Sequence, residues 1–126
     1  MTSPPAADIL IIDDDFGMRE LLGIHLRGVG YHVRTAEDAV EGGKMLFAAT
    51  PDLLLLDMRM PHMGGDQLLA LLRADDKFKG LKVLVLSSIQ NYAFVSKVTD
   101  MGVCGFLAKP VDKELLLSTV KKVLAG

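Results

Sequence analysis

Polar side chains stand at the points where several apolar runs of the sequence end. Asp13 and Asp14 follow the run ILII, and Asp57 follows the run LLLL. Ser87 follows the run VLVL, and Lys109 follows the run GFLA. Three neighbouring carboxylates repel one another unless a cation neutralises them, and oxygen ligands suit a hard ion such as Mg²⁺ or Mn²⁺. A serine hydroxyl and a lysine ammonium can hold the oxygens of a phosphoryl group, so these residue types together suggest metal-assisted phosphoryl chemistry on Asp57.

This chemistry requires a fold that brings the ends of the apolar runs together. The runs are short and either continuously apolar or alternating, and they predict strands at residues 9–12, 31–36, 52–57, 82–88 and 104–109. Between them apolar residues recur at spacings of three and four, which predicts helices at residues 16–30, 37–49, 65–74, 91–102 and 112–126. Gly42 and Gly43 weaken the second helical pattern, since each costs about 1 kcal/mol relative to alanine. Asp112 is the expected N-cap of the last helix.

Strands that alternate with helices predict an α/β fold. The expected form is a doubly wound (βα)5 unit whose five-stranded parallel sheet is covered by helices on both faces. The common strand order of such a sheet is 2-1-3-4-5, and ligands bind beyond the carboxyl ends of its strands, between strands one and three. The three acids Asp13, Asp14 and Asp57 are therefore expected to meet in that crevice.

The composition indicates one domain and argues against several classes of function. The chain of 126 residues suits a single core, which we expect over residues 8–126, with residues 1–7 as a disordered N-terminal segment. With 14 Lys and Arg against 16 Asp and Glu, it has no basic excess for direct nucleic-acid binding. No apolar run approaches the roughly 20 residues that cross a bilayer, and the N-terminus has no secretion signal. The single Cys104 is expected in the core, and a cytoplasmic location is expected for the chain.

Four motifs resemble those of a known signalling family. IIDDD, LLLLDMRMPHMGG, VLVLSS and GFLAKP are similar, in this order, to the acidic pair, phosphoacceptor loop, hydroxyl position and Lys-Pro pair of the receiver domain of two-component response regulators. The resemblance covers essentially the whole chain and implies the flavodoxin-like receiver fold. By position it implies that Asp57 is the phosphoacceptor. It also implies a metal site of Asp13, Asp14 and Asp57, with Asp14 the more direct ligand of the acidic pair and Arg59 lending only its backbone carbonyl.

The resemblance also assigns a conformational switch. Ser87 would bind the phosphoryl group and shift on activation, and Lys109 would pair with that group. Phe106 would be the rotating switch aromatic, and Pro110 would follow a cis peptide bond. Mg²⁺ or Mn²⁺ is the only cofactor that the resemblance implies.

The implied function is phosphoryl acceptance in a two-component system or phosphorelay. A sensor histidine kinase or histidine phosphotransfer protein would donate the group, and the domain would catalyse only its own phosphorylation and dephosphorylation. The face of strand four, helix four and strand five would then control a downstream effector or a covalently linked output domain, and phosphorylation could lead to a homodimer. Tyr92 and Phe94 would lie on or near this output surface, with one of the two facing the core. Arg59 and Ile89 would tune the lifetime of the aspartyl phosphate.

Several alternatives stay open at the level of the residues. Ser88 could be the active hydroxyl in place of Ser87, and Asp15 is better explained as a helix N-cap than as a metal ligand. A receiver-like scaffold that works without phosphorylation would share the fold. An aspartyl-phosphate hydrolase of the haloacid dehalogenase type would need a second aspartate where this chain has Arg59. A flavin carrier would need a first loop rich in Gly, Ser and Thr, and here that loop is acidic.

Overall fold

The computed structural model describes residues 6–88 and 92–126, without the side chains of residues 92–95. Five strands alternate with five helices in the order β1 (Asp8–Ile12), α1 (Phe16–Gly28), β2 (His32–Ala36), α2 (Ala39–Ala48), β3 (Leu53–Asp57), α3 (Gly65–Ala74), β4 (Val83–Ser87), α4 (Tyr92–Thr99), β5 (Gly105–Ala108) and α5 (Lys113–Ala125). Most of the predicted bounds differ from these by one or two residues. The predictions for residues 1–5, for Ile89 and for the side chains of Tyr92 and Phe94 lie outside the described part of the chain.

The five strands form one parallel sheet in the order β2-β1-β3-β4-β5, which confirms the predicted doubly wound α/β fold. The register aligns the carboxyl ends of the central strands. Ile12 at the end of β1 pairs with Leu56, and the next residue of β3, Asp57, pairs with Leu86 of β4. Ser87 pairs with Ala108 at the end of β5. The residues that follow these ends therefore lie along one edge of the sheet.

The central strands are buried on both faces because helices cover the sheet on both sides. Leu53, Leu54, Leu55 and Leu56 of β3 are all 0% exposed, and fully burying one leucine stabilises a fold by about 1.5–3 kcal/mol relative to exposing it. One core layer lies between the sheet and α2, α3 and α4, and the other lies between the sheet and α1 and α5. The four leucines thus fix the position of the strand that ends in Asp57.

Aspartate side chains cap the N-termini of three of the helices. Asp15 accepts a hydrogen bond from the Met18 amide at 3.2 Å, and Asp112 accepts one from the Leu115 amide at 2.9 Å. Both N-caps confirm the sequence interpretation, and Asp38 begins α2 in the same way. Asp15 therefore serves α1, whereas its neighbours Asp13 and Asp14 do not cap the helix.

Two local predictions were wrong. The fourth helix ends at Thr99 and not at residue 102, because the chain turns at Gly102, whose φ is +76° and whose amide donates to the Thr99 carbonyl. Cys104 is exposed and not in the core, since it precedes β5, which is an edge strand of the sheet.

Among the described residues, no helix combines the length and the apolar character that a membrane crossing needs.

Candidate functional site

The carboxyl edge of the sheet brings three acids together, as the strand order requires. Asp13 is 0% exposed and Asp57 is 3% exposed, while Asp14 is exposed to solvent. One carboxylate oxygen from each of the three lies within 4.8 Å of the others. The predicted meeting of Asp13, Asp14 and Asp57 at this edge is therefore confirmed.

Lys109 reaches into the same cluster from the end of β5. Its Nζ lies 2.8 Å from Asp13 Oδ2 and 3.3 Å from Asp57 Oδ2, and its side chain is only 18% exposed. Its backbone amide donates to the Ser87 carbonyl at 3.1 Å, which holds β5 against β4 beyond the last paired residues. The following peptide bond, between Lys109 and Pro110, is cis, as the resemblance implied.

Each buried acid uses one oxygen to hold its own loop and turns the other toward the cluster. Asp13 Oδ1 accepts from the Asp15 amide at 2.9 Å, and Asp57 Oδ1 accepts from the Arg59 amide at 3.2 Å. The guanidinium of Arg19 donates to the backbone carbonyl of Asp13 at 2.7 Å and so fixes the first acidic loop. Sequence reasoning missed Arg19, because nothing in the helical spacing of α1 distinguishes it from a solvated arginine.

Burial and like charge act together on Asp57. Burial raises the pKa of Asp57 and the neighbouring Asp13 charge raises it further, while Lys109 and the Arg59 amide oppose the shift, leaving the pKa at about 6. Burial alone would lower the pKa of Lys109, but its ion pairs with Asp13 and Asp57 outweigh burial and raise that pKa above its ordinary value. The site therefore holds Lys109 charged and Asp57 poised to titrate near neutral pH.

The donor set fits a small divalent cation. Asp13 Oδ2 is buried and accepts no well-aligned hydrogen bond from the described residues, so its contact with Lys109 is an ion pair and the oxygen keeps a free lone pair. Carboxylate oxygens from Asp13, Asp14 and Asp57 are the ligands that Mg²⁺ and Mn²⁺ prefer, and a cation would relieve the repulsion that burial intensifies. These three residues are therefore suited to hold such an ion.

The loop after Asp57 is packed tightly against the start of α3. The Gly65 amide donates to the Met58 carbonyl at 3.1 Å, and a Cβ on Gly65 would overlap the Asp57 carbonyl and the Met58 side chain. Only glycine allows the helix to approach this closely. The phosphoacceptor candidate is thus held rigidly from both its strand and the following helix.

The remaining predicted residues lie around this cluster. Ser87 is 9% exposed at the end of β4, directly after the residue that pairs with Asp57, whereas Ser88 is exposed and outside the strand. Phe106 is half-buried on β5, where it packs against the core layer under α2, α3 and α4. The Arg59 side chain is exposed, and the role of its backbone carbonyl stays a prediction.

Comparison with known proteins matches this chain and its fold to one family. A profile of the family described as "Response regulator receiver domain" matches residues 9–121. The chain is 32% identical over 116 residues to the chemotaxis protein CheY of Pseudomonas aeruginosa, and the match covers 91% of this chain and 94% of that protein. The crystal structure of a putative response regulator from Chloroflexus aurantiacus superposes with a TM-score of 0.90 at 31% identity, covering 96% of this chain and 99% of that one.

Other relatives are much longer than this chain. The transcriptional regulatory protein GlrR of Escherichia coli is 37% identical over 118 residues, which is 94% of this chain but only 26% of GlrR. The chain therefore spans about a quarter of the length of that relative, and the similarity concerns the shared part alone.

Proposed function

The chain belongs to the response regulator receiver domain family, a family of signalling domains, and from this premise we propose that Asp57 accepts a phosphoryl group from a phosphohistidine. The donor would be a sensor histidine kinase or a histidine phosphotransfer protein. The observation that carries the proposal is the convergence of Asp13, Asp14, Asp57 and Lys109 at one edge of the sheet. A strand-end carboxylate held between acids and a lysine suits phosphoryl acceptance better than structural capping.

The transfer forms one bond and breaks one. An oxygen of the Asp57 carboxylate forms the new O–P bond while the N–P bond of the phosphohistidine breaks, and its electron pair returns to the imidazole. Asp57 must be ionised to act as the nucleophile, and with a pKa of about 6 it is mostly ionised at neutral pH. Lys109 places a positive charge beside the transferred oxygens, where charge neutralisation contributes most of the catalysis.

The metal-binding residues of the proposal are Asp13, Asp14, Asp57 and the backbone carbonyl of Arg59. A bound Mg²⁺ or Mn²⁺ would supply charge neutralisation for the acids and for the phosphoryl oxygens. Without a cation, burial and repulsion from Asp13 raise the pKa of Asp57, and the negative phosphoryl oxygens would approach carboxylates whose charge only Lys109 offsets. We therefore expect phosphorylation to depend on a divalent ion. The same residues would position water for the later dephosphorylation.

Phosphorylation would then bias the shape of the β4-α4-β5 face. The aspartyl phosphate adds about two negative charges at pH 7 to a site where Lys109 and Ser87 can contact it. Ser87 is the better hydroxyl, since it ends β4 beside Asp57, whereas Ser88 lies outside the strand. The inward shift of Ser87 would be accompanied by rotation of Phe106, which packs against the neighbouring core layer.

The output of the switch would be a partner protein or a covalently linked domain in the cytoplasm. Direct binding of nucleic acid by this domain is not proposed, because its net charge of −2 provides no basic surface excess. Dimerisation on phosphorylation would be one route by which the β4-α4-β5 face acts. The runner-up function is a scaffold of the same fold that binds its partners without phosphorylation.

The deciding experiment compares the protein with Asp57→Asn. Each is incubated with Mg²⁺ and a small phosphodonor, and the products are analysed by intact mass. The modified residue is then located by peptide mapping, after the labile aspartyl phosphate has been reduced or otherwise trapped. We expect one phosphoryl adduct on Asp57 and none in the variant, and EDTA should prevent adduct formation. No adduct, or an adduct elsewhere, would exclude the proposal and leave the scaffold function.

A further inference from the structure

An ion pair joins the two helices that follow the site. Lys97 of α4 places its Nζ 3.2 Å from Asp66 Oδ2 of α3. The Lys97 side chain is 58% exposed and that of Asp66 is 25% exposed, so the pair lies at the surface. α3 follows the loop of Asp57, and α4 follows the strand that ends in Ser87. The contact thus connects the two segments that leave the phosphoacceptor and hydroxyl positions.

The Asp66 side of this contact is fixed to the site. Gly65, the first residue of α3, donates to the Met58 carbonyl at 3.1 Å and packs too closely on Asp57 for any Cβ. Asp66 also lies directly over Gly64, where a Cβ would come within 2.7 Å of its Oδ1. The backbone that carries the Asp66 carboxylate is therefore held close to Asp57.

The last turn of α4, which contains Lys97, and the chain just after it have a second and firmer anchor. Val98 is 0% exposed in the core layer under the helix. Arg73, at the end of α3, donates through Nε to the Met101 carbonyl at 2.8 Å and through Nη2 to the Gly102 carbonyl at 3.2 Å. The Asp66–Lys97 contact is a single, partly exposed ion pair by comparison. It is the weaker of these two attachments and the one closer to the phosphoacceptor loop.

We propose that the Asp66–Lys97 ion pair is a latch that holds α4 in its resting position and restrains activation. The inference rests on the proposed function, in which the β4-α4-β5 face changes shape when Asp57 is phosphorylated. The pair is formed in the unmodified chain, and in this proposal it breaks when α4 moves, so that it stabilises the resting arrangement selectively. A phosphoryl mimic binds preferentially to the activated arrangement of the domain. Loss of the latch should increase the population of that arrangement and therefore tighten the binding of the mimic.

The test measures the affinity for beryllofluoride in the presence of Mg²⁺, by NMR titration of the full chain. We expect Lys97→Gln and Asp66→Asn each to bind about two- to fivefold more tightly than the wild type, the range that a partly exposed ion pair allows. Lys97→Arg keeps the charge and should bind like the wild type. The double variant should show no more than the larger single effect, since both changes remove the same contact.

The chain offers a matched control for the loss of a surface ion pair. Lys79 and Asp76 form an exposed pair at 2.7 Å that touches neither α4 nor the site, so Lys79→Gln should leave the affinity unchanged. High ionic strength should bring both the wild type and Lys79→Gln toward the affinity of Lys97→Gln, which lacks the pair and should change least. Equal affinities in the wild type and Lys97→Gln, weaker binding in Lys97→Gln, or additive effects in the double variant would overturn the latch.

A second measurement needs no phosphoryl mimic and separates the two proposals. Amide hydrogen exchange across residues 96–102 should be about two- to fivefold faster in Lys97→Gln than in Lys79→Gln if the latch holds α4. If the wild type binds no beryllofluoride, the proposed function fails, and this comparison still decides whether the ion pair restrains the helix. Equal exchange rates in the two variants would show that it does not.

Discussion

Asp57 places a carboxylate at the end of β3, a strand whose other residues are all buried leucines. The four residues before it are 0% exposed, and its own side chain is nearly as deeply buried. An unpaired buried charge is costly, and Lys109 at 3.3 Å offsets only part of that cost, because Asp13 lies in the same cluster. The raised pKa of Asp57 shows that burial and the charge of Asp13 outweigh the attraction to Lys109. Because the clustered carboxylates repel one another without an added cation, the site has a physical reason to bind one.

The pKa of Asp57 leads to a pH-dependent prediction for the metal-free protein. Because folding raises the pKa from 3.8 to about 6, the folded state binds the proton more tightly than the unfolded state does. Between these two pH values the free energy of unfolding therefore falls as pH rises, and Asp57→Asn lacks this loss. In EDTA the variant should exceed the wild type in stability by an amount that grows from about pH 4 to 6 and levels off at roughly 1–3 kcal/mol.

Chemical denaturation at several pH values would measure this difference. Asp76→Asn is a suitable control, since the Asp76 side chain is 92% exposed and lies outside the acid cluster. Its stability difference from the wild type should stay nearly constant over the same range. If the free energy of unfolding of the wild type and of Asp57→Asn varied with pH in parallel, the pKa of Asp57 would not be raised by folding, and the prediction would be wrong.

At the scale of elements, helix α2 shows how two adjacent glycines can differ. The sequence pattern suggested only that Gly42 and Gly43 weaken the helix. In the structure a Cβ on Gly42 would overlap the side chain of Ile12, which directly precedes Asp13, whereas a Cβ on Gly43 would meet nothing within 4 Å. Gly42 therefore sets the distance between α2 and β1, and Gly43 has no packing role.

This difference predicts opposite effects for two matched substitutions. Gly43→Ala should stabilise the protein by about 0.5–1 kcal/mol, because alanine favours the helix and fits the available space. Gly42→Ala should destabilise it by about 1–3 kcal/mol, because Ile12 must move to accept the methyl group. Urea unfolding of both variants would measure the effects. Stabilisation by both changes would mean that α2 and β1 can separate freely.

The elements themselves were accessible from sequence, whereas contacts between them were not. Periodicity located all ten elements, and the Asp112 N-cap was identified from local chemistry. The exposure of Cys104 depends on its position before an edge strand, which no local pattern records. The contacts of Gly42 with Ile12 and of Lys97 with Asp66 join segments far apart in the chain. Such contacts follow from packing geometry, and spacing within one helix or strand contains no information about them.

For the whole molecule, strand order determines which residues can act together. β1 and β3 are neighbours in the sheet although α1, β2 and α2 separate them in the chain. This crossover places Asp13 and Asp14 beside Asp57, and the next neighbours bring Ser87 and Lys109 to the same edge. The sequence predicted this arrangement through the strand order common to the fold class, since the individual runs do not specify their order. The acid cluster is thus a property of the complete sheet.

Because only the folded sheet assembles the acids, a divalent cation should stabilise the whole domain. Binding to the folded state alone adds about 2.7 kcal/mol at a concentration one hundred times the Kd, which corresponds to a rise in Tm of roughly 10 °C for a domain of this size. Thermal unfolding at pH 7.5 with increasing MgCl₂ would measure it. Asp14→Asn should lose most of this rise with little change in stability in EDTA, since Asp14 is exposed, whereas Asp76→Asn should keep it. An equal Mg²⁺-dependent rise in both variants would place the cation outside the acid cluster, because loss of one carboxylate ligand cannot leave the affinity of a site unchanged.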